Sequence, residues 1–136
     1  MKNIDLANDH IRRAGIRLKA LDVLYEASSW ADVVRESQEV VELALKGLLR
    51  ACGVEPPRVH DVSDVLFAEK DRLPEGLHDE LEDLAQISRE LRRDRELAFY
   101  GAEDLTPSGF YTRKDADRAR EGARHTVRAV RANVTG

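Results

Sequence analysis

The chain has 136 residues, of which 42% are hydrophobic and 35% charged, with a formal net charge of −4. That length makes a single domain spanning 1–136 that can bury a core without disulfides or metals, and the composition excludes a disordered or membrane-embedded chain. No run approaches the ~18 consecutive apolar residues of a membrane span, the N-terminus lacks the apolar centre of an export signal, and the lone Cys52 excludes an internal disulfide and suits a reducing cytoplasm.

The apolar period is helical nearly throughout, and no alternating stretch reads as a strand. Ile11, Ala14, Leu18, Leu21 and Tyr25 recur at three- and four-residue steps and predict a helix of about residues 5–27. Ser28 and Ser29 break it. Ser29 with Asp32 reads as a capping box opening a second helix. Val33/Val34, Ser37, Val40/Val41, Ala44/Leu45 and Leu48/Leu49 give this helix the widest apolar face in the chain, and Gly53 is placed to end it as a left-handed cap.

The segment Val54 to His60 holds Pro56 and Pro57 and cannot continue a helix. A short helix follows over about 63–71, then a break at Leu73-Pro74-Glu75-Gly76. Leu77, Leu81, Leu84, Leu91 and Ala98 predict a fourth helix over about 77–100, with Gly101 as its cap. Residues 104–109 read as a polar loop. Thr112 with Asp115 forms a second capping-box signature, and Ala116, Ala119, Ala123, Val127 and Val130 carry the last helix. The expected fold is an all-α, up-and-down bundle of four to five helices.

Charge is unevenly spread. Residues 1–60 carry nine basic and nine acidic side chains, residues 61–111 six and fourteen, and residues 112–136 seven and three. An acidic middle and a basic tail argue against sequence-independent nucleic-acid binding over the whole surface and leave room for a local basic face.

Two stretches carry candidate chemistry. Gln38, Glu42 and Lys46 stand at i, i+4 and i+8 and line one side of the second helix. They form either a polar strip facing a cleft or partner, or a solvated edge with a Glu42–Lys46 pair worth about 0.3–0.5 kcal/mol. The run from Arg92 to Tyr100 places Arg92, Arg93 and Arg95 ahead of Phe99 and Tyr100. Guanidinium forks bind phosphate and aromatic rings stack on bases. The plainer reading is a helix end whose cations complement the macrodipole. No histidine–cysteine spacing suggests a metal, Cys52 reads as packing, and no cofactor motif is present; His60 suits a turn, while His78 and His125 read as water-facing.

The stretch Ser37 to Leu49, the Gly53-Val54-Glu55-Pro56-Pro57 loop and His60-Asp61 together resemble the HEPN domain family (higher eukaryotes and prokaryotes nucleotide-binding). Arg95 to Gly101 and Tyr111 to Ala116 resemble its small prokaryotic stand-alone branch, and the likeness spans roughly residues 5–131. The resemblance implies a helical bundle that forms a homodimer and associates with a minimal nucleotidyltransferase, often as the toxin half of a toxin–antitoxin pair. Many members are metal-independent ribonucleases using an Arg followed four to six residues later by His, with the site composed across the dimer. In some, a tyrosine close after that histidine is modified by the nucleotidyltransferase.

This chain departs from that pattern, because the window after Arg92, Arg93 and Arg95 runs from Glu96 to Gly101 with no histidine. Arg72 with His78 and Arg120 with His125 have the spacing but lie in other elements. Without the imidazole the group best suited to proton transfer near neutral pH is missing, and a tyrosine with an ordinary pKa near 10 is a poor base. Whether the chain is an enzyme is therefore left open. The expectation is a cytoplasmic binding or regulatory module for nucleotide or RNA. Arg92, Arg95 and Tyr100 are its candidate ligand-binding residues, with Gln38 and Glu42 facing them. The alternatives are a metal-independent ribonuclease toxin, with Arg95 on the scissile phosphate, and a domain that only assembles.

Overall fold

The computed structural model describes residues 3–58, 62–100 and 106–134, with the side chains of 93–100 and of residue 107 excepted. Among these described residues six α-helices follow one another: α1 (Ile4–Glu26), α2 (Trp30–Ala51), α3 (Ser63–Ala68), α4 (Leu81–Tyr100), α5 (Pro107–Phe110) and α6 (Arg113–Asn133). No strand occurs among the described residues, and none of their helices is long and apolar enough to cross a membrane.

The helix ends show how local chemistry sets the boundaries. Asn3 caps α1 by accepting the Leu6 N–H on Oδ1 at 3.1 Å. At its other end Ser28 takes a left-handed φ of 58°, its N–H donating to Tyr25 O and the Ser29 N–H to Leu24 O. Gly53 repeats this pattern after α2, with φ 78°, its N–H on Arg50 O and the Val54 N–H on Leu49 O. The expected capping box at Thr112 is complete, Asp115 N–H donating to Thr112 Oγ1 and Thr112 N–H to Asp115 Oδ2.

Four expectations for the helix ends and loops are revised. Ser29 precedes α2, but its hydroxyl donates to Asp32 Oδ2 at 2.6 Å and caps no backbone N–H. The helix expected over 63–71 ends at Ala68 and continues as a 3₁₀ turn, Lys70–Arg72, and the start of the one expected from residue 77 is a 3₁₀ turn over Glu75–Glu80. Residues 107–109 of the expected polar loop belong, with Phe110, to the single turn α5.

α1, α2, α4 and α6 run alternately down and up. α2 is the centre of the bundle, packing on each of the other three long helices. Its Val33, Val40, Ala44, Leu45, Leu48 and Leu49 are fully buried, together with Leu21 of α1, Leu84 of α4 and Ala123 and Val130 of α6. Gly47 lets α1 come close, because a Cβ there would lie 2.8 Å from Ile11 Cγ1 and 3.2 Å from the Ala7 carbonyl oxygen. α1 also meets α6, where Asp22 accepts from both Arg120 (3.2 Å) and Arg124 (3.0 Å). α4 leans on α2 and α3 and scarcely touches α6.

Candidate functional site

The polar strip on α2 starts in the bundle interior at Gln38 and is partly exposed at Glu42 and Lys46. Gln38 is 1% exposed, and its Nε2 donates to Glu42 Oε1 at 3.2 Å. Lys46 Nζ lies 3.5 Å from Glu42 Oε2, with the two side chains only 19% and 16% exposed. Glu42 therefore takes a hydrogen bond one turn before it and a cation one turn after it. The Glu42–Lys46 pair of the plainer reading is present, while the Gln38 amide is buried and needs its partner to offset lost hydration.

Val34 and Leu91 line one cavity, while the turns leading into α4 lie beside Ala51 and Cys52 at the far end of α2. α2 and α4 are thus antiparallel, and one turn along α2 from Val34 brings Gln38 level with Ser88 on α4. Ser88 is 3% exposed and accepts the Val62 N–H at 3.3 Å. Ser63, equally hidden, accepts from Arg89 Nε at 3.1 Å, and the Arg89 guanidinium lies 5.8 Å from the Phe67 ring centroid. These two serines fasten the start of α3 to α4. Sequence periodicity gave no warning of them, because a serine on an apolar stripe reads as tolerated packing.

Arg92 is exposed on α4, one turn beyond Ser88. The side chains of Arg95 and Tyr100 lie outside the described residues, as does His60. The structure thus joins Gln38 to Glu42 and puts Arg92 on α4, a helix that packs on α2.

The two spaced Arg–His pairs are not sites. Arg120 and Arg124 reach Asp22 on the α1 side of α6, whereas His125 turns the other way, 3.4 Å from Glu80. Arg72 donates to Gly53 O at 2.7 Å, and His78 Nε2 sits 3.1 Å from Leu73 O. Contrary to expectation, His78 and His125 are half-buried. Among the described residues no group of three or more His, Cys, Asp or Glu is arranged to hold a metal.

A second cluster went unseen in the sequence. Tyr25 and Trp30 meet edge to face at 5.1 Å, with Arg120 3.7 Å over the tyrosine and Arg113 5.4 Å over the tryptophan. A hydrogen bond to Asp117, followed by burial, raises the Tyr25 pKa above its usual 10.0. Every member has a partner within the cluster, which marks it as a clasp between the α1–α2 turn and α6.

The family model for the HEPN domain matches residues 7–133, nearly the whole chain. No curated protein and no solved structure matches.

Proposed function

The chain belongs to the HEPN domain family, and from that premise we propose that it is a binding or regulatory module taking a nucleotide or short single-stranded RNA along the α2–α4 seam. The observation that carries this reading is the buried Gln38 amide bonded to the partly buried Glu42. A seam needed only for packing is better filled by leucine, because replacing buried polar pairs with well-packed apolar side chains is commonly neutral or stabilising.

In this reading Arg92 and Arg95, three residues apart on one helix, hold phosphate through charge-assisted forks, and Tyr100 stacks on a base. Glu42, oriented by Gln38 and Lys46, accepts hydrogen bonds from the ligand and contributes selectivity rather than charge attraction. The histidine-free window from Glu96 to Gly101 supports binding over cleavage. The family setting further supports a homodimer working beside a minimal nucleotidyltransferase in a toxin–antitoxin-type pair. Light scattering distinguishes that dimer from a 15.3 kDa monomer.

Anisotropy titration of labelled single-stranded RNA and of a labelled adenine nucleotide at low salt tests the reading, run with thermal melts. Salt-sensitive binding that Arg95→Ala abolishes at unchanged melting temperature supports it. Shortening of the RNA by wild type points to the ribonuclease alternative, and no binding by wild type leaves only assembly.

A further inference from the structure

α4 and α6 lie side by side over α2 yet lean apart, and a groove runs between them. Its floor is apolar, formed by Val34 of α2, Ile87 and Leu91 of α4, and Ala119 and Gly122 of α6. Its open part has a volume of about 480 Å³. Elsewhere the large exposed apolar side chains, such as Val23 and Phe110, do not share a cavity. Gly122 sits where the walls come nearest, since a Cβ there would be 3.1 Å from Ile87 Cγ2.

The rim is acidic. Asp83 and Glu90 stand on the α4 side and Glu121 on the α6 side, against Arg118 and His125, with Arg128 paired to Glu121. Gln86 donates to Glu90 at 3.0 Å and Arg128 lies 3.4 Å from Glu121, so both carboxylates are held in place without being buried. We propose that this groove is the docking site for a cationic amphipathic helix of a partner protein. The apolar stripe of that helix rests on the floor over Ile87 and Gly122, and its Lys or Arg side chains pair with Asp83, Glu90 and Glu121. The groove walls run about ten residues, so at 1.5 Å per residue they seat about 15 Å of helix, or roughly three turns.

Charge selects this occupant over two others. A second copy applied through a two-fold axis would set the acidic rim against itself. RNA would be repelled by the same carboxylates. The proposal does not depend on ligand binding at the α2–α4 seam, which lies on the other side of α4.

Two labelled peptides of about 16 residues test it, one with leucines on one face and lysines on the other, the second with every lysine replaced by glutamate. The full chain binds the lysine peptide, and the glutamate peptide about tenfold more weakly or worse. Hydrogen exchange then slows at residues 83–91 and 118–125. The triple variant Asp83→Lys/Glu90→Lys/Glu121→Lys reverses the preference, and Gly122→Trp blocks both peptides. Should Gly122→Trp unfold, the triple variant still decides. Equal binding of both peptides, protection mapped elsewhere, or an unchanged preference in the triple variant overturns the proposal. So does a dimer of wild type that the triple variant or Gly122→Trp dissolves, since a second copy would then fill the groove.

Discussion

Gly47→Ala is expected to destabilise the chain although it replaces a poor helix former with the best one. Inside a helix that exchange is ordinarily worth up to about 1 kcal/mol in the alanine's favour. Here the added methyl would stand 2.8 Å from Ile11 Cγ1, 3.2 Å from His10 Cβ and 3.2 Å from the Ala7 carbonyl oxygen. Ile11 is 8% exposed and has little room to rotate, and the carbonyl belongs to the backbone of α1, so relief requires moving one helix away from the other. Overpacking of this kind costs about 1–3 kcal/mol, which leaves a net loss of roughly 0.5–2 kcal/mol after the propensity gain. For a domain of this size that corresponds to a melting temperature lower by about 2–8 °C. Gly122→Ala is the internal control, because its nearest neighbours are the atoms of a single half-buried isoleucine side chain. Thermal and urea unfolding followed by circular dichroism should rank the two as Gly122→Ala above Gly47→Ala. A Gly47→Ala protein as stable as wild type would refute the reasoning that α1 and α2 are at contact distance there.

Leu45→Ala removes a fully buried side chain from the face of α2 that anchors the core and should cost about 2–5 kcal/mol, read from the urea midpoint. Ser28→Gly should gain up to about 1 kcal/mol, because the left-handed φ of 58° burdens any residue with a Cβ; an unchanged urea midpoint would contradict it. Burial raises the Glu36 pKa above its usual 4.5, with Arg17 opposing at 3.3 Å. The folded state therefore favours the protonated acid, and that contribution is complete below pH 4.5 and lost as pH rises through the folded value. Glu36→Gln should flatten this part of the stability profile, and a profile superimposable on wild type would show that Glu36 has no part in it.

What sequence made legible were features closed within a few residues. The Gly53 cap, the Thr112–Asp115 box and the apolar face of α2 each depend on neighbours in the chain, and each appears where the pattern put it. Ser29 followed by Asp32 has the letters of a capping box, but its hydroxyl bonds the aspartate directly. Leu77 and Leu81 fit a helical stripe in either a 3₁₀ or an α geometry, so the period could not distinguish Glu75–Glu80 from the start of α4. The candidate site was legible only as a stripe. That Gln38 is buried follows from where α4 crosses α2, and the roles of Ser63 and Ser88 follow from the return of α3 onto α4. The α4–α6 groove depends on the splay of two helices far apart in sequence, and no local pattern encodes that.

The lopsided placement of α4 sets an order in which the fold can come apart. α1, α2 and α6 each touch the other two, so releasing any one of them exposes two seams, whereas α4 rests on α2 and the short α3 with little against α6. Partial opening should therefore peel α3 and α4 away together while the remaining three helices stay closed. In amide-exchange experiments that gives two cooperative units, an inner one opening only with the whole molecule and an outer one opening at lower free energy. Because the polar strip of α2 and the floor of the groove both lie against α4, any ligand held at either place would slow exchange first in the outer unit.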